Sequence, residues 1–378
     1  MRILFTFIGG SGHFHPLVPI ARAATAAGHD VAVAGGGGMV STIEAAGFTA
    51  FATSKPRPRP AIAPSARVEP IDLEREDTAM RVGFAGTGAR RHAGVIPDII
   101  REWKPHVLVR DEVDFGTAIA AELLGIPCAT VLVLAAGSFP RKEVIADSLN
   151  DVRSELGLAP DPTLAMLERD LVLCPFPPSF RSPDSPLPAT AFSFRSAAVP
   201  AVRAASPTPT VYFTLGTLDT YFDLQSRVLG GLRELQADIV MTIGARNDPA
   251  GFGPQPANVR IERFIPQDEV LPHSDLVISH GGSGSVLGAL AHGLPSILLP
   301  MGADQPYNAQ RCVELGVGQV LDAVAATPEQ VRDTARGILD TVTYRHAAER
   351  IRDEINAQPD VTRTIPLIES LTPIQGPR

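Results

Sequence analysis

The sequence predicts an α/β protein made of two doubly wound, Rossmann-like domains facing each other across a cleft. Three observations carry that expectation. Short apolar runs alternate with stretches of helical periodicity, which is the pattern of a parallel sheet covered by helices on both faces. A proline-rich stretch between residues 175 and 209 breaks the alternation, which then restarts. The 378 residues exceed one compact domain, and a composition 44% hydrophobic and 20% charged can fill two cores and is not that of a disordered chain. The expected domains are 1–200 and 201–378, joined near 196–210, with the final helix free to pack back on the first domain.

The elements follow in order. Residues 3–8 form an apolar run that reads as a buried first strand, followed by a glycine loop and a helix over 16–27 that Gly28 closes. DVAVA at 30–34 is the next strand, then a helix at 41–46 and strands or helices at 48–52, 106–109, 117–124 and 129–134. KPRPRPAIAPSARVEP at 55–70 has too much proline for a helix or central strand and reads as an exposed loop. After the second proline-rich stretch come 210–215, 222–235, 238–243, 258–261, 276–279, 285–292, 296–300 and 306–315, then helices over 330–358 and a short one over 361–371. In such folds ligands sit beyond the carboxyl ends of the strands.

Composition also excludes functions. A net charge of −8 argues against a nucleic-acid partner. No apolar run approaches a membrane span, and the first strand is too short for a signal-peptide core, so the cytoplasm is the expected compartment. Cys128, Cys174 and Cys312 are odd in number and lack metal-ligand spacing.

Three constellations could carry chemistry. GGSGHFHP at 9–16 places His15 where a dinucleotide fingerprint needs its third glycine, so that fingerprint is broken. What remains is a turn that carries His13 and His15 to the cleft. They lack a third ligand for a metal, so either is a candidate general base or merely a polar loop residue. At the end of a strand, Asp111, Glu112 and Asp114 compete to orient that histidine, or else simply favour the next helix N-terminus. The strongest signal is FIPQ at 264–267 followed by SHGGSGSVLGALAHGLPSILLP at 279–300, Asp304-Gln305 and Asn308. His280, Gly281, Gly282, Ser283, Gly284 and Ser285 form a glycine-rich turn opening a helix, whose free N–H groups suit a pyrophosphate. No Gly-Lys-Ser/Thr follows, so it is not a Walker loop. A carboxylate and an amide at 304–305 suit paired sugar hydroxyls.

Three segments together, GHFHPLVPIARAATAAGHDV, LVRDEVDFGTAIAAELLGIP and RFIPQDEVLPHSDLVISHGGSGSVLGALAHGLPSILLPMGADQPYNAQR, carry a resemblance. The chain resembles GT-B glycosyltransferases of the family that includes plant secondary-metabolite and bacterial antibiotic (macrolide, enediyne, aromatic polyketide) enzymes. The resemblance implies that the catalytic histidine of His-x-x-Pro falls on His13 with Pro16, and the orienting aspartate on Asp111. It implies that His280 binds the donor, with Gly282 and Ser285 at pyrophosphate positions. Asp304-Gln305 would meet the sugar, Ile265 and Gln267 the nucleobase, and Gly216-Thr217 would lie near the phosphates. Relatives often read HHGGxGT, where this chain has Ser279 and Ser285; the hydroxyl is kept.

The expectation is an inverting, metal-independent transferase moving a sugar, of deoxysugar type, from a dTDP-linked donor to a hydroxyl of a small hydrophobic aglycone. The nucleotide-sugar is a substrate and no cofactor is expected, because the acidic cluster at 111–114 lacks Asp-x-Asp spacing and lies in the first domain. A homodimer is compatible with this reading. The alternatives are a GT-B nucleotide-sugar epimerase and a catalytically silent nucleotide-sugar-binding partner protein; retention of His13 and Asp111 argues against the latter.

Overall fold

The computed structural model describes residues 1–56, 67–196, 207–216, 221–244 and 247–372. Most of the 55–70 loop, the 200/201 boundary with its linker, and Thr217 therefore lie outside the described residues.

Seven strands form the first sheet: β1 (Arg2–Thr6), β2 (Asp30–Gly35), β3 (Thr49–Ala52), β4 (Val107–Asp111), β5 (Cys128–Val131), β6 (Leu171–Cys174) and β7 (Ala191–Ser193). Their order is β3-β2-β1-β4-β5-β6-β7 and every pairing is parallel. The apolar run of β1 is needed because both its faces are covered. Ile3 and Phe5 join one core with Val33, Val107 and Val109, while Leu4 joins Ala32, Leu108, Ile96 and Ile100 on the other side.

The second sheet has six parallel strands, β8 (Thr210–Thr214), β9 (Asp238–Thr242), β10 (Val259–Glu262), β11 (Leu276–Ser279), β12 (Ser296–Leu298) and β13 (Gly318–Val320). Their order is β10-β9-β8-β11-β12-β13. In each sheet one strand has neighbours that depart in opposite directions: β1 lies between β2 and β4, and β8 between β9 and β11. Chain crossovers diverge there, which opens a crevice at the carboxyl ends of the strands.

Some elements escaped the sequence. Helices Leu73–Thr78, Ala89–Trp103 and Lys142–Glu155 were not anticipated, nor were β6 and β7. Between the first two helices, Ala79–Gly88 is wound as a wider π-helix, so its apolar residues do not recur at α-helical spacing. The helix expected at 285–292 runs Ser283–Ala291, which puts Ser283 in its first turn. The 330–358 stretch divides into Pro328–Asp340, opened by a Thr327–Gln330 capping box, and Val342–Ala357.

The two sheets share a mixed core. Cys174, Phe176 and Phe180 of the first pack with Val286, Leu298, Ile351 and Ile355 of the second. The last helix, Thr364–Ser370, returns to the first sheet, where Ile365 and Ile368 enter its core beside the Val18–Ala26 helix.

Candidate active site

The chain leaves β1 through Gly9, whose φ of +112° is one that residues with a side chain rarely adopt, and enters the short Ser11–Phe14 helix. A Cβ on Gly9 would stand 2.7 Å from His13 Cδ2, so the ring rests on bare backbone. Next in the sheet, β4 ends at Asp111, which is fully buried. His13 Nδ1 faces Asp111 Oδ2 at 3.3 Å. The carboxylate is itself held by backbone: Oδ1 accepts the N–H groups of Val113 and Asp114 (2.7 Å each) and Oδ2 that of Ile8 (3.0 Å). The other two acids have different work. Glu112 accepts the N–H groups of Val133 and Leu134, and Asp114 caps the Phe115–Leu124 helix. His15 is exposed. Of the candidates, the structure brings together His13 and Asp111.

Burial alone would lower the His13 pKa. The Asp111 carboxylate, with Asp304 and Glu112 adding, outweighs burial and holds it above its ordinary value. With Nδ1 committed to Asp111, Nε2 is the nitrogen left to accept a proton.

Opposite, β11 runs into His280 and then into the Ser283–Ala291 helix, whose N-terminus has no side-chain cap. Gly216, after β8 and with φ +63°, and Gly282 enclose the His280 ring: a Cβ would come within 2.7 Å of Cε1 at the first and 2.5 Å of Nε2 at the second. Gly281, at φ +86°, turns the chain between them. Burial drives the His280 pKa down to about 4, so at neutral pH it offers a hydrogen bond and no charge. With the ring neutral, the helix N-terminus supplies fixed positive potential to this pocket. Ser285 is buried, with its hydroxyl 3.5 Å from Gln267 Nε2. Ile265 is buried among Val270, Leu271 and Ala289, and Gly284 adds no side chain at the helix start.

Ser283 is engaged across the cleft. Its hydroxyl accepts the Ala135 N–H (2.7 Å) and donates to Asp304 Oδ2 (2.6 Å). Asn308, fully buried, ties the same cluster together by donating to Gly281 O and Asp304 Oδ2 and accepting the Ala136 N–H. Burial raises the Asp304 pKa, and the Ser283 and Asn308 hydrogen bonds oppose it. Gln305 turns its Oε1 to the Met301 N–H, inside its own loop. Glu76, which no motif signalled, reaches from the first domain to the Ala303 N–H at 3.1 Å. A cavity of about 780 Å³ opens nearby between Glu112, Arg181 and Tyr307; it is lined from both domains, and neither His13 nor Asp304 is among its lining residues.

Residues 226–371 match the model of the "Erythromycin biosynthesis protein CIII-like, C-terminal domain" family. Over 98% of this chain and 97% of the relative, the sequence is 30% identical to the 10-deoxymethynolide desosaminyltransferase of Streptomyces venezuelae. The chain belongs to this family of antibiotic GT-B glycosyltransferases. It is also 29% identical to the 4'-demethylrebeccamycin synthase of Lentzea aerocolonigenes, over 98% of this chain and 99% of that protein. Among solved structures, the glycosyltransferase VinC in complex with dTDP is similar at TM-score 0.75 and 25% identity, covering 98% of this chain and 99% of that one. The calicheamicin glycosyltransferase CalG4 shares the fold at TM-score 0.80 and 20% identity, covering 100% and 99%. Among the described residues, no helix is long and apolar enough to cross a membrane.

Proposed function

We propose that this glycosyltransferase moves a deoxysugar from a dTDP-linked donor to a hydroxyl of a small-molecule natural product, with inversion and without a metal ion. The observation that carries the reading is the His13–Asp111 pair, 3.3 Å apart at one switch point, facing a glycine-rich helix N-terminus at the other. His13 Nε2 takes the proton from the acceptor hydroxyl as its oxygen bonds to the anomeric carbon. The bond from that carbon to the diphosphate oxygen breaks, and the electron pair leaves with the nucleoside diphosphate. Asp111 stabilises the imidazolium that forms. The uncapped helix N-terminus and the neutral His280 N–H meet the charge developing on the leaving group, as dipoles already fixed before the reaction.

The donor assignment is supported by the similarity to VinC, whose structure holds dTDP. A deoxysugar is supported by the desosaminyltransferase relative and by the TDP-daunosamine transferase DnrS of Streptomyces peucetius, which is 28% identical. Incubation with dTDP-deoxysugars and a panel of hydroxylated aglycones, with the product's anomeric configuration read by proton coupling constants, tests the proposal. An inverted glycoside is expected. Retention would remove the single-displacement mechanism, and epimerised donor formed without any acceptor would favour an epimerase.

A further inference from the structure

A second histidine–carboxylate pair lies directly behind the first. His92 Nδ1 is 2.9 Å from Asp114 Oδ1, and both side chains are wholly buried. Asp114 does more than cap a helix. Its Oδ1 also accepts the Thr117 N–H, and its Oδ2 accepts the hydroxyls of Thr6 (2.6 Å) and Thr117 (2.8 Å). One carboxylate thus joins β1, the turn after β4 and the Ala89–Trp103 helix.

The same segments orient Asp111. Two residues beyond Thr6, the Ile8 N–H donates to Asp111 Oδ2, and the N–H of Asp114 itself donates to Asp111 Oδ1. Burial would push the Asp114 carboxyl up, but His92 and the two threonine hydroxyls overcome it and hold it below its ordinary value. A buried anion beside a second carboxylate is costly without a partner, and His92 supplies one from a separate helix. Gly116 allows that helix to come so close, because a Cβ there would stand 2.6 Å from the His92 Cβ.

We infer that His92 and Asp114 are positioning residues for the transfer step: the buried pair fixes the 111–114 turn against β1 and so aims Asp111 Oδ2 at His13. This rests on the His13–Asp111 reading above. Neither residue touches substrate. The pair acts on the acceptor half, so its loss should slow the chemistry and spare donor binding.

The test places His92→Leu and His92→Asn in the wild-type enzyme and in the Asp111→Asn background. It measures kcat, donor KM, dTDP affinity and thermal midpoint. His92→Leu should lower kcat roughly 10-fold with donor KM and dTDP affinity unchanged. His92→Asn, whose amide nitrogen can stand near Nδ1, should recover most of that loss. In the Asp111→Asn background His92→Leu should cost nothing further, since two residues acting through one path are not additive. Thr6→Val, which removes one hydroxyl from Asp114 at nearly constant volume, gives the same readout if His92→Leu does not fold. An equal loss in both backgrounds, or a lowered thermal midpoint with unchanged kcat, overturns the inference and leaves the His13–Asp111 reading standing. Wild-type turnover in Asp111→Asn alone overturns both.

Discussion

The carboxylate of Glu76, in the first domain, accepts the backbone N–H of Ala303, in the second, at 3.1 Å. Ala303 has a φ of +52°, uncommon for a residue with a side chain, and it immediately precedes Asp304. Glu76 therefore steadies the loop that presents Asp304 and links the two halves of the cleft. A charge-assisted hydrogen bond of this kind contributes about 1.5–3 kcal/mol. Glu76→Ala should raise donor KM roughly 10-fold, since a factor of ten is about 1.4 kcal/mol, with a smaller change in affinity for free dTDP. Steady-state kinetics beside calorimetry checks this, and an unchanged KM would mean that the contact is incidental.

The donor half should bind its nucleotide without a titrating histidine. With the His280 pKa near 4, the ring is neutral from about pH 5 upward, so dTDP affinity should not fall as pH rises from 5.5 to 8 through any change at His280. His280→Ala should still weaken dTDP binding, by roughly the 0.5–1.5 kcal/mol of one neutral hydrogen bond. Calorimetry across that pH range decides. A steep loss of affinity on the alkaline side, absent in His280→Ala, would show a charged ring.

Metal removal should leave turnover intact. Among the described residues no group of three His, Cys, Asp or Glu side chains is arranged to hold an ion, and the diphosphate pocket proposed here relies on backbone N–H groups. Activity after exhaustive EDTA treatment and desalting is the check. Loss of turnover that magnesium or manganese restores would contradict the leaving-group mechanism.

The pH profile carries its own sign. A general base must be neutral, so kcat/KM should fall as pH drops through the His13 pKa, which Asp111 holds above 6.5. Asp111→Asn removes the main raising influence. The acid limb should then move to lower pH while the plateau falls by about 10²–10⁴-fold, because the imidazolium loses its stabilising partner. An acid limb that stays in place would separate Asp111 from His13.

Much of this site can be read in the residues, and what cannot has a physical cause. The glycine turns after β1 and β11 and the acidic end of β4 stand out because each is a sharp chemical break after an apolar run. Which acid faces His13 does not stand out. It depends on the turn geometry that bonds Asp111 to the N–H groups of Val113 and Asp114 and sends Glu112 to Val133 and Leu134. The neutrality of His280 is equally hidden, since it comes from burial against Gly216, which is distant in the sequence, as well as against the nearby Gly282. Glu76 sits in LEREDT, a run that looks like an ordinary solvated helix face until the second domain is placed beside it. Ser283 reads as a phosphate-binding hydroxyl, yet the fold engages it with Ala135 and Asp304.

The most direct test of the account is turnover by His13→Ala with dTDP affinity measured on the same sample. The account predicts a fall in kcat of about 10²–10⁴-fold, dTDP binding within about twofold of wild type, and only a mild effect of His15→Ala. Wild-type turnover in His13→Ala, or a larger loss in His15→Ala, would contradict it.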